Sequence, residues 1–308
     1  MSGYDDSAIG SFDFHHSMLA DSERTETFLR AILATVKPGD VVVDIGCGTG
    51  VLSLFAVMAG ARTVYAIERE PIIEVASEIA EANGLGDRVR FISGSSTDIE
   101  LPERVDVVIS ETVGNIGFDE GILPLAADAR RRFAKPDARF IPQRVDVHAS
   151  LVEVPHDIEI VERWSRPLFA LDFSALRRLA VNNVMWADLS PVSLVSDRLA
   201  VLGSDIGGGG ELGGTVDFTV RRQATVHGLG VWFSSVLAEG IVISNQPPNA
   251  VPSWEHGLMP LSKPISCAAG DVVTASIRAT ADGTRWEWVV RGQSMSTERG
   301  KLIQDVSD

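Results

Sequence analysis

The stretch Val41-Val42-Val43-Asp44-Ile45-Gly46-Cys47-Gly48-Thr49-Gly50-Val51-Leu52 decides the fold. Its first five residues read as a buried strand, the glycines as a sharp turn, and Val51 to Ala59, stopped by Gly60, as a helix. Glycine at such a turn lets the backbone reverse tightly and lets a ligand approach the main chain. Working outward, the apolar runs Val64–Ile67, Val89–Ile92 and Val105–Ile109 read as further buried strands. Ile72–Ala82, ending near Asn83-Gly84, reads as a helix. Strand and helix in alternation predict a parallel sheet wrapped by helices, the doubly wound α/β arrangement with a Rossmann-like cofactor half. Ahead of it, Ser22–Leu33 reads as a leading helix whose apolar face carries Phe28, Leu29, Ile32 and Leu33.

Composition narrows the function classes. The chain has 308 residues, 45% of them hydrophobic and 22% charged, which is the composition of a folded protein of two domains or one large one. A net charge of −15 repels polyanions, so neither nucleic acid nor an anionic membrane is expected as a partner, and a cationic or neutral substrate fits better. No apolar stretch is long enough to span a bilayer and the amino terminus is acidic, which predicts a cytoplasmic protein. Cys47 and Cys267 are the only cysteines, so no disulfide framework or repeated zinc-ligand spacing is available and no metal is expected.

After Pro142 the texture changes. Val216, Phe218 and Val220, then Trp286, Trp288 and Val290, alternate with polar residues and predict a β-sandwich or barrel. Residues 155–190 form a partly helical insertion carrying Trp164, Phe169, Leu171, Phe173, Leu176 and Leu179. It is more apolar than an exposed loop should be, as either a packed core element or a dimer contact.

Two cofactor classes suit the glycine turn, dinucleotides and S-adenosylmethionine. The strand after the turn ends in Glu68, where an acid in this fold class can accept both hydroxyls of a ribose. Asp44, just before the turn, would repel a pyrophosphate but favour an α-ammonium or sulfonium. The Gly-x-Gly-x-Gly spacing of Gly46, Gly48 and Gly50 also departs from the dinucleotide pattern, so S-adenosylmethionine is the expected cofactor. Cys47 taken alone reads as a small buried turn residue, not a reactive thiol.

The strand Val105–Ile109 leads through Ser110 to Glu111, which places that acid at the mouth of the site, beyond a strand's carboxyl end. Gly114 and Gly117 let the following loop fold back, so that Glu120 can face Glu111. Two facing carboxylates repel unless a proton or a cation lies between them. A guanidinium fits, because its planar fork pairs with carboxylates bidentately. It is protonated at ordinary pH and so a poor nucleophile. The two acids would draw its charge away from one terminal nitrogen and aim that nitrogen at a methyl group. Read in isolation, Glu111 is a solvated strand end and Glu120 a helix-start acid.

His15, Met18, Asp21 and Arg24 form a leading pattern, followed by the Asp44–Gly50 turn and by Ser110-Glu111 through Glu120. With these residues the chain, over nearly its whole length, resembles the protein arginine methyltransferase family. Phe140-Ile141-Pro142 resembles the link into the family's β-barrel, and Trp164 with Phe169–Phe173 its dimerisation arm. The resemblance implies three parts: 1–36 completing the cofactor site, 37–142 binding S-adenosylmethionine, and 143–308 as a β-barrel substrate domain in a homodimer. It implies that Arg24 pairs with the cofactor carboxylate, that Met18 lies by the sulfonium and Glu68 holds the ribose, and that His15, Ser96 and Thr97 also contact the cofactor. Glu111 and Glu120 would be catalytic and bind substrate with Ser253 and Trp254. The family's Thr-His-Trp loop is matched by Pro252-Ser253-Trp254, with His256 two residues beyond; Asp21, the acid that the histidine usually partners, is present. Ile9 replaces an expected tyrosine, Thr97 an adenine-contacting acid, and Thr112, Asn115 and Ile122 the usual loop aromatics and methionine. The implied activity is methylation of a guanidino nitrogen of free arginine, a related metabolite or a peptidyl arginine. The alternatives are methylation of a different nucleophile in a natural product and a non-catalytic S-adenosylmethionine-binding partner protein.

Overall fold

A computed structural model describes residues 12–208 and 212–300 of the chain; Ile9 lies outside the described residues. The leading element is two helices, α1 (Phe12–Ala20) and α2 (Ser22–Thr35), where the sequence pattern suggested one. Asp21 separates them. Its backbone is extended and its carboxylate accepts the backbone N–H of Arg24, so the acid caps the second helix.

Five strands, β1 (Val41–Ile45), β2 (Thr63–Glu68), β3 (Val89–Ser93), β4 (Val105–Ile109) and β5 (Ala134–Ile141), make one parallel sheet in the order β3-β2-β1-β4-β5. The connecting helices are α3 (Val51–Met58), α4 (Ile72–Ala82) and α5 (Ile122–Arg132). The strand order reverses between β1 and β4, and in an open α/β sheet a crevice opens at that switch point beyond the carboxyl ends of the strands. β5 was hidden in the sequence by Lys135, Pro136, Asp137 and Arg139. It is an edge strand with an irregular register to β4, where a proline costs no ladder bond. Gly50 is left-handed (φ 78°) at the start of α3, and a Cβ there would sit 3.3 Å from Ala76 Cβ and 3.4 Å from Phe91. Its smallness lets the turn settle against the neighbouring helix and strand.

The second half is antiparallel. One six-stranded sheet contains β6 (Arg144–Val152), β7 (Met185–Ala187), β8 (Leu199–Asp205), β10 (Ala224–Ala238), β11 (Ile241–Ser244) and β12 (His256–Cys267), ordered β7-β12-β10-β6-β8 with β11 on β10. A four-stranded sheet holds β9 (Leu212–Thr219), β13 (Val272–Ala279), β14 (Trp286–Val290) and β15 (Gln293–Ser296), and a bridge between Ser196 and Val220 joins the approach to β8 with the end of β9. One apolar core runs through both halves of the chain, from Val43 and Ile109 through Ile116 and Phe118 to Val147 and Phe233.

The insertion has two characters. Its base packs Ile158, Val161 and Val181 between α6 (Glu159–Glu162) and α7 (Ser174–Val181). Its tip leaves Phe169 96% and Leu171 60% exposed. Among the described residues no helix is long and apolar enough to cross a membrane.

Candidate functional site

At the switch point lies a cavity of about 470 Å³. Its floor is the turn Gly46-Cys47-Gly48-Thr49, one wall is α1 and α2 with His15, Met18 and Arg24, and the rest comes from Glu68, Ser96, the loop Glu111–Glu120, Ser253 and Trp254. Residues far apart in sequence therefore share one enclosure.

Glu68 lines the cavity beside the turn. Its Oε2 accepts the backbone N–H of Gly48 at 2.9 Å, and its Oε1 accepts those of Arg69 at 2.8 Å and Glu70 at 3.0 Å. Three main-chain donors thus hold the carboxylate beside the turn. His15 is 7% exposed, its Nε2 is buried with no hydrogen-bond partner, and burial lowers its pKa despite the nearby Glu68 carboxylate. A buried ring nitrogen left unsatisfied in a cavity wall calls for a polar guest. With the flanking acid and the open turn, this set of residues fits an adenosyl cofactor. Cys47 faces the cavity, but burial, Asp44 and Glu68 all push its thiol pKa up, so it is no nucleophile.

Three expected cofactor residues are placed differently. Asp44 is 1% exposed beneath the turn and does not line the cavity; Ser53 donates to its Oδ2 at 2.6 Å, and burial pushes its pKa up to about 7. The charge invoked for it is therefore only partly present near neutral pH. Gly50 is turned toward α4 and β3 for packing. Thr97 is exposed outside the cavity, its hydroxyl paired with Ser95 at 2.7 Å, because the short turn at Ser96–Asp98 points the buried Ser96 inward instead.

Glu111 and Glu120 line the same cavity. Arg24 Nη2 donates to Glu111 Oε2, and the guanidinium lies 4.4 Å over the Trp254 ring. Burial raises the Glu111 pKa, while Arg24 and the Val113 backbone N–H oppose the rise. Glu120 is accessible within the enclosure, and burial, then Asp119, then Glu111 push its pKa up to about 8. Asp119, which the sequence reading did not single out, also faces the cavity; it accepts the N–H groups of Asn115 at 3.1 Å and Ile116 at 3.0 Å, and burial raises its pKa to about 6. The available signal was its position as the acid closing the Gly114-to-Gly117 reversal. Gly114 is required there, since a Cβ would lie 2.3 Å from the Asp119 carboxyl carbon.

The loop is fastened from the second half of the chain. Asn245, 0% exposed, accepts the Phe233 N–H at 2.9 Å and donates to the carbonyls of Asn115 at 2.9 Å and Glu255 at 2.7 Å. Asn115 returns a bond by accepting the Glu255 N–H at 2.7 Å. Trp254 Nε1 donates to the Val113 carbonyl at 2.9 Å. Asp282, on the β13–β14 hairpin, joins the cavity wall, and nothing in its sequence setting marked it. His256 does not substitute for the missing loop histidine: it is buried on β12, with Nδ1 accepting the Leu189 N–H at 3.0 Å. Ser253 takes the place beside Asp21, at 2.7 Å.

Comparison with known proteins supports the reading of both halves. Residues 21–141 match the model of ribosomal protein L11 methyltransferase (PrmA), and residues 213–306 match the PRMT5 oligomerisation domain. An arginine N(omega)-methyltransferase of Streptomyces achromogenes subsp. streptozoticus is 30% identical over 269 residues, covering 84% of this chain and 74% of that protein. Protein arginine N-methyltransferase 1 of Dictyostelium discoideum is 27% identical, covering 86% and 81%. In fold, the chain superposes on a chain of the Trypanosoma brucei PRMT1 enzyme-prozyme heterotetrameric complex with AdoHcy, with a TM-score of 0.85, 24% identity and coverage of 93% of this chain and 98% of that one. By sequence and fold together, this chain belongs to the protein arginine methyltransferase family.

Proposed function

We propose that the protein is an S-adenosylmethionine-dependent N-methyltransferase acting on a guanidino nitrogen of arginine. The observation that carries this reading is the pair Glu111 and Glu120 in one cavity with the glycine turn, the second acid driven toward its protonated form unless a cation compensates it. A guanidinium supplies that cation in the planar form that two carboxylates can orient. When bound, S-adenosylmethionine supplies an electrophilic methyl group. On this reading His15, Met18, Arg24, the turn Gly46–Thr49, Glu68 and Ser96 hold the cofactor, with residues 1–36 completing a site built in 37–142. Residues 143–308 contribute the acceptor side. Glu111, steadied by Arg24, and Glu120 fix the guanidinium plane and localise its charge away from the reacting nitrogen. Glu120, with its pKa near neutrality, is suited to receive the proton that this nitrogen sheds.

The acceptors compared are free arginine, a related metabolite and peptidyl arginine. The protein acts as a cytoplasmic homodimer on this reading. The exposed apolar arm tip at Phe169 and Leu171 supports a second copy as partner, and the two cysteines, both buried and unpaired, suit a reducing compartment. The test is transfer of a labelled methyl group to arginine and arginine peptides, with products identified by mass. Glu111→Gln and Glu120→Gln are each expected to lower the rate about a hundredfold or more, by removing a charged contact made to the reacting group. Full activity in the double variant would refute the clamp.

A further inference from the structure

Ser253 stands in the loop before β12, yet its polar contacts are to helices at the opposite end of the chain. Its hydroxyl donates to Asp21 Oδ2 at 2.7 Å, and its backbone N–H reaches the same oxygen at 3.0 Å. A serine hydroxyl carries one proton. With that proton committed to Asp21, the Ser253 oxygen is left to accept from Arg24 Nη1 at 3.3 Å. The other Asp21 oxygen accepts the Arg24 backbone N–H at 3.1 Å. Arg24 is therefore fixed at both ends, its main chain by Asp21 and one arm of its guanidinium by Ser253. Trp254 supports the guanidinium face.

The arm held by Ser253 is the one that matters for an acceptor. Nη2 donates to Glu111 Oε2 while Nη1 is turned toward Ser253. An arginine facing a carboxylate with both arms free forms the bidentate fork, the stronger arrangement. Such a fork between Arg24 and Glu111 would occupy the carboxylate with an internal guanidinium, in competition with a guest of the same chemistry.

We propose that Ser253 is a positioning residue of the acceptor site: it holds one arm of Arg24 off Glu111 and so keeps that carboxylate open to an incoming guanidinium. The proposal rests on the guanidino-methyltransferase reading for its functional meaning, but its geometric content stands apart from it. The backbone N–H of residue 253 would still reach Asp21 in an alanine variant, so the latch between loop and helix is weakened without being removed.

The functional experiment is calorimetric titration of L-arginine into the full chain free of cofactor, the state in which Arg24 divides its arms between Ser253 and Glu111. Ser253→Ala is expected to weaken arginine about tenfold, the scale of one hydrogen bond to a charged group, while Ser253→Thr, which keeps the hydroxyl, stays within about twofold. In a Glu111→Gln background, Ser253→Ala should change affinity less than about twofold, because the residue acts through that carboxylate. An equal loss in both backgrounds, or no loss in either, overturns the proposal. A structural readout needs no acceptor. Crystal structures of the ligand-free wild type and Ser253→Ala should show Arg24 going from one arm on Glu111 to two; an unmoved Arg24 overturns the proposal. Failure of the wild type to bind arginine, alongside that switch in Arg24, would count against the acceptor reading and leave the positioning role supported.

Discussion

On the proposed function, Glu120 should make acceptor binding a proton-linked event. Its pKa is pushed up to about 8, chiefly by burial and then by the negative charges of Asp119 and Glu111. A guanidinium binds the ionised form, so at lower pH a proton must first be displaced. With a pKa near 8, arginine binding should release about 0.9 proton at pH 7, about 0.5 at pH 8 and about 0.1 at pH 9. Affinity should rise with pH, by about fiftyfold between pH 6 and pH 8, and level off above. The sign follows from the raised pKa: the protonated acid dominates below it, and the cation-binding form is fully present only above it. Asp119, at about 6, adds a second and smaller dependence at the acid end. The assay is calorimetric titration of arginine into the S-adenosylhomocysteine complex, in two buffers of different ionisation enthalpy. Glu120→Gln should bind more weakly with most of the proton release at pH 7 gone. Proton uptake on binding, or the same release in the wild type and in Glu120→Gln, would refute the assignment of the titration to this acid.

Two further outcomes are expected. Asn245→Ala strips an acceptor from Phe233 and donors from the carbonyls of Asn115 and Glu255, all at a fully buried position; a loss of about 3 kcal/mol by urea unfolding is expected, and a loss below about 1 kcal/mol would show that the Asn115–Asn245 junction is not what secures the loop. Phe169→Asp combined with Leu171→Asp puts charge on the exposed arm tip, and light scattering should report a monomer; an unchanged dimer would move the interface elsewhere.

The sheet was legible in the sequence because its inner strands β1, β2 and β4 are mostly buried and read as largely apolar runs, whereas β3, read as buried too, is an edge strand whose Arg90 and Ser93 are exposed. Val105–Ile109 and Ile72–Ala82 have the bounds their patterns suggested. β5 was not legible, since an edge strand tolerates the Lys135, Pro136 and Asp137 that disguise it. The two glutamates were legible through their placement after a strand end, but their charge balance was not. That depends on Arg24, Asp119 and the depth of the enclosure, all set by tertiary packing. Asp44 shows the same limit from the other side. A carboxylate next to a glycine turn looks available from sequence, and only the packing of Ser53 and α3 over it reveals that its charge is muted.

The mutual bonds between Asn115 and the Asn245–Glu255 region mean that neither half of the chain alone builds the cavity. A hybrid joining the first half to a relative's sheets would inherit the glutamates without the struts that aim them. Substrate preference in such a protein should therefore drift through matched changes on both sides of the seam, and a library that varies both together is the sensible starting point for redesign.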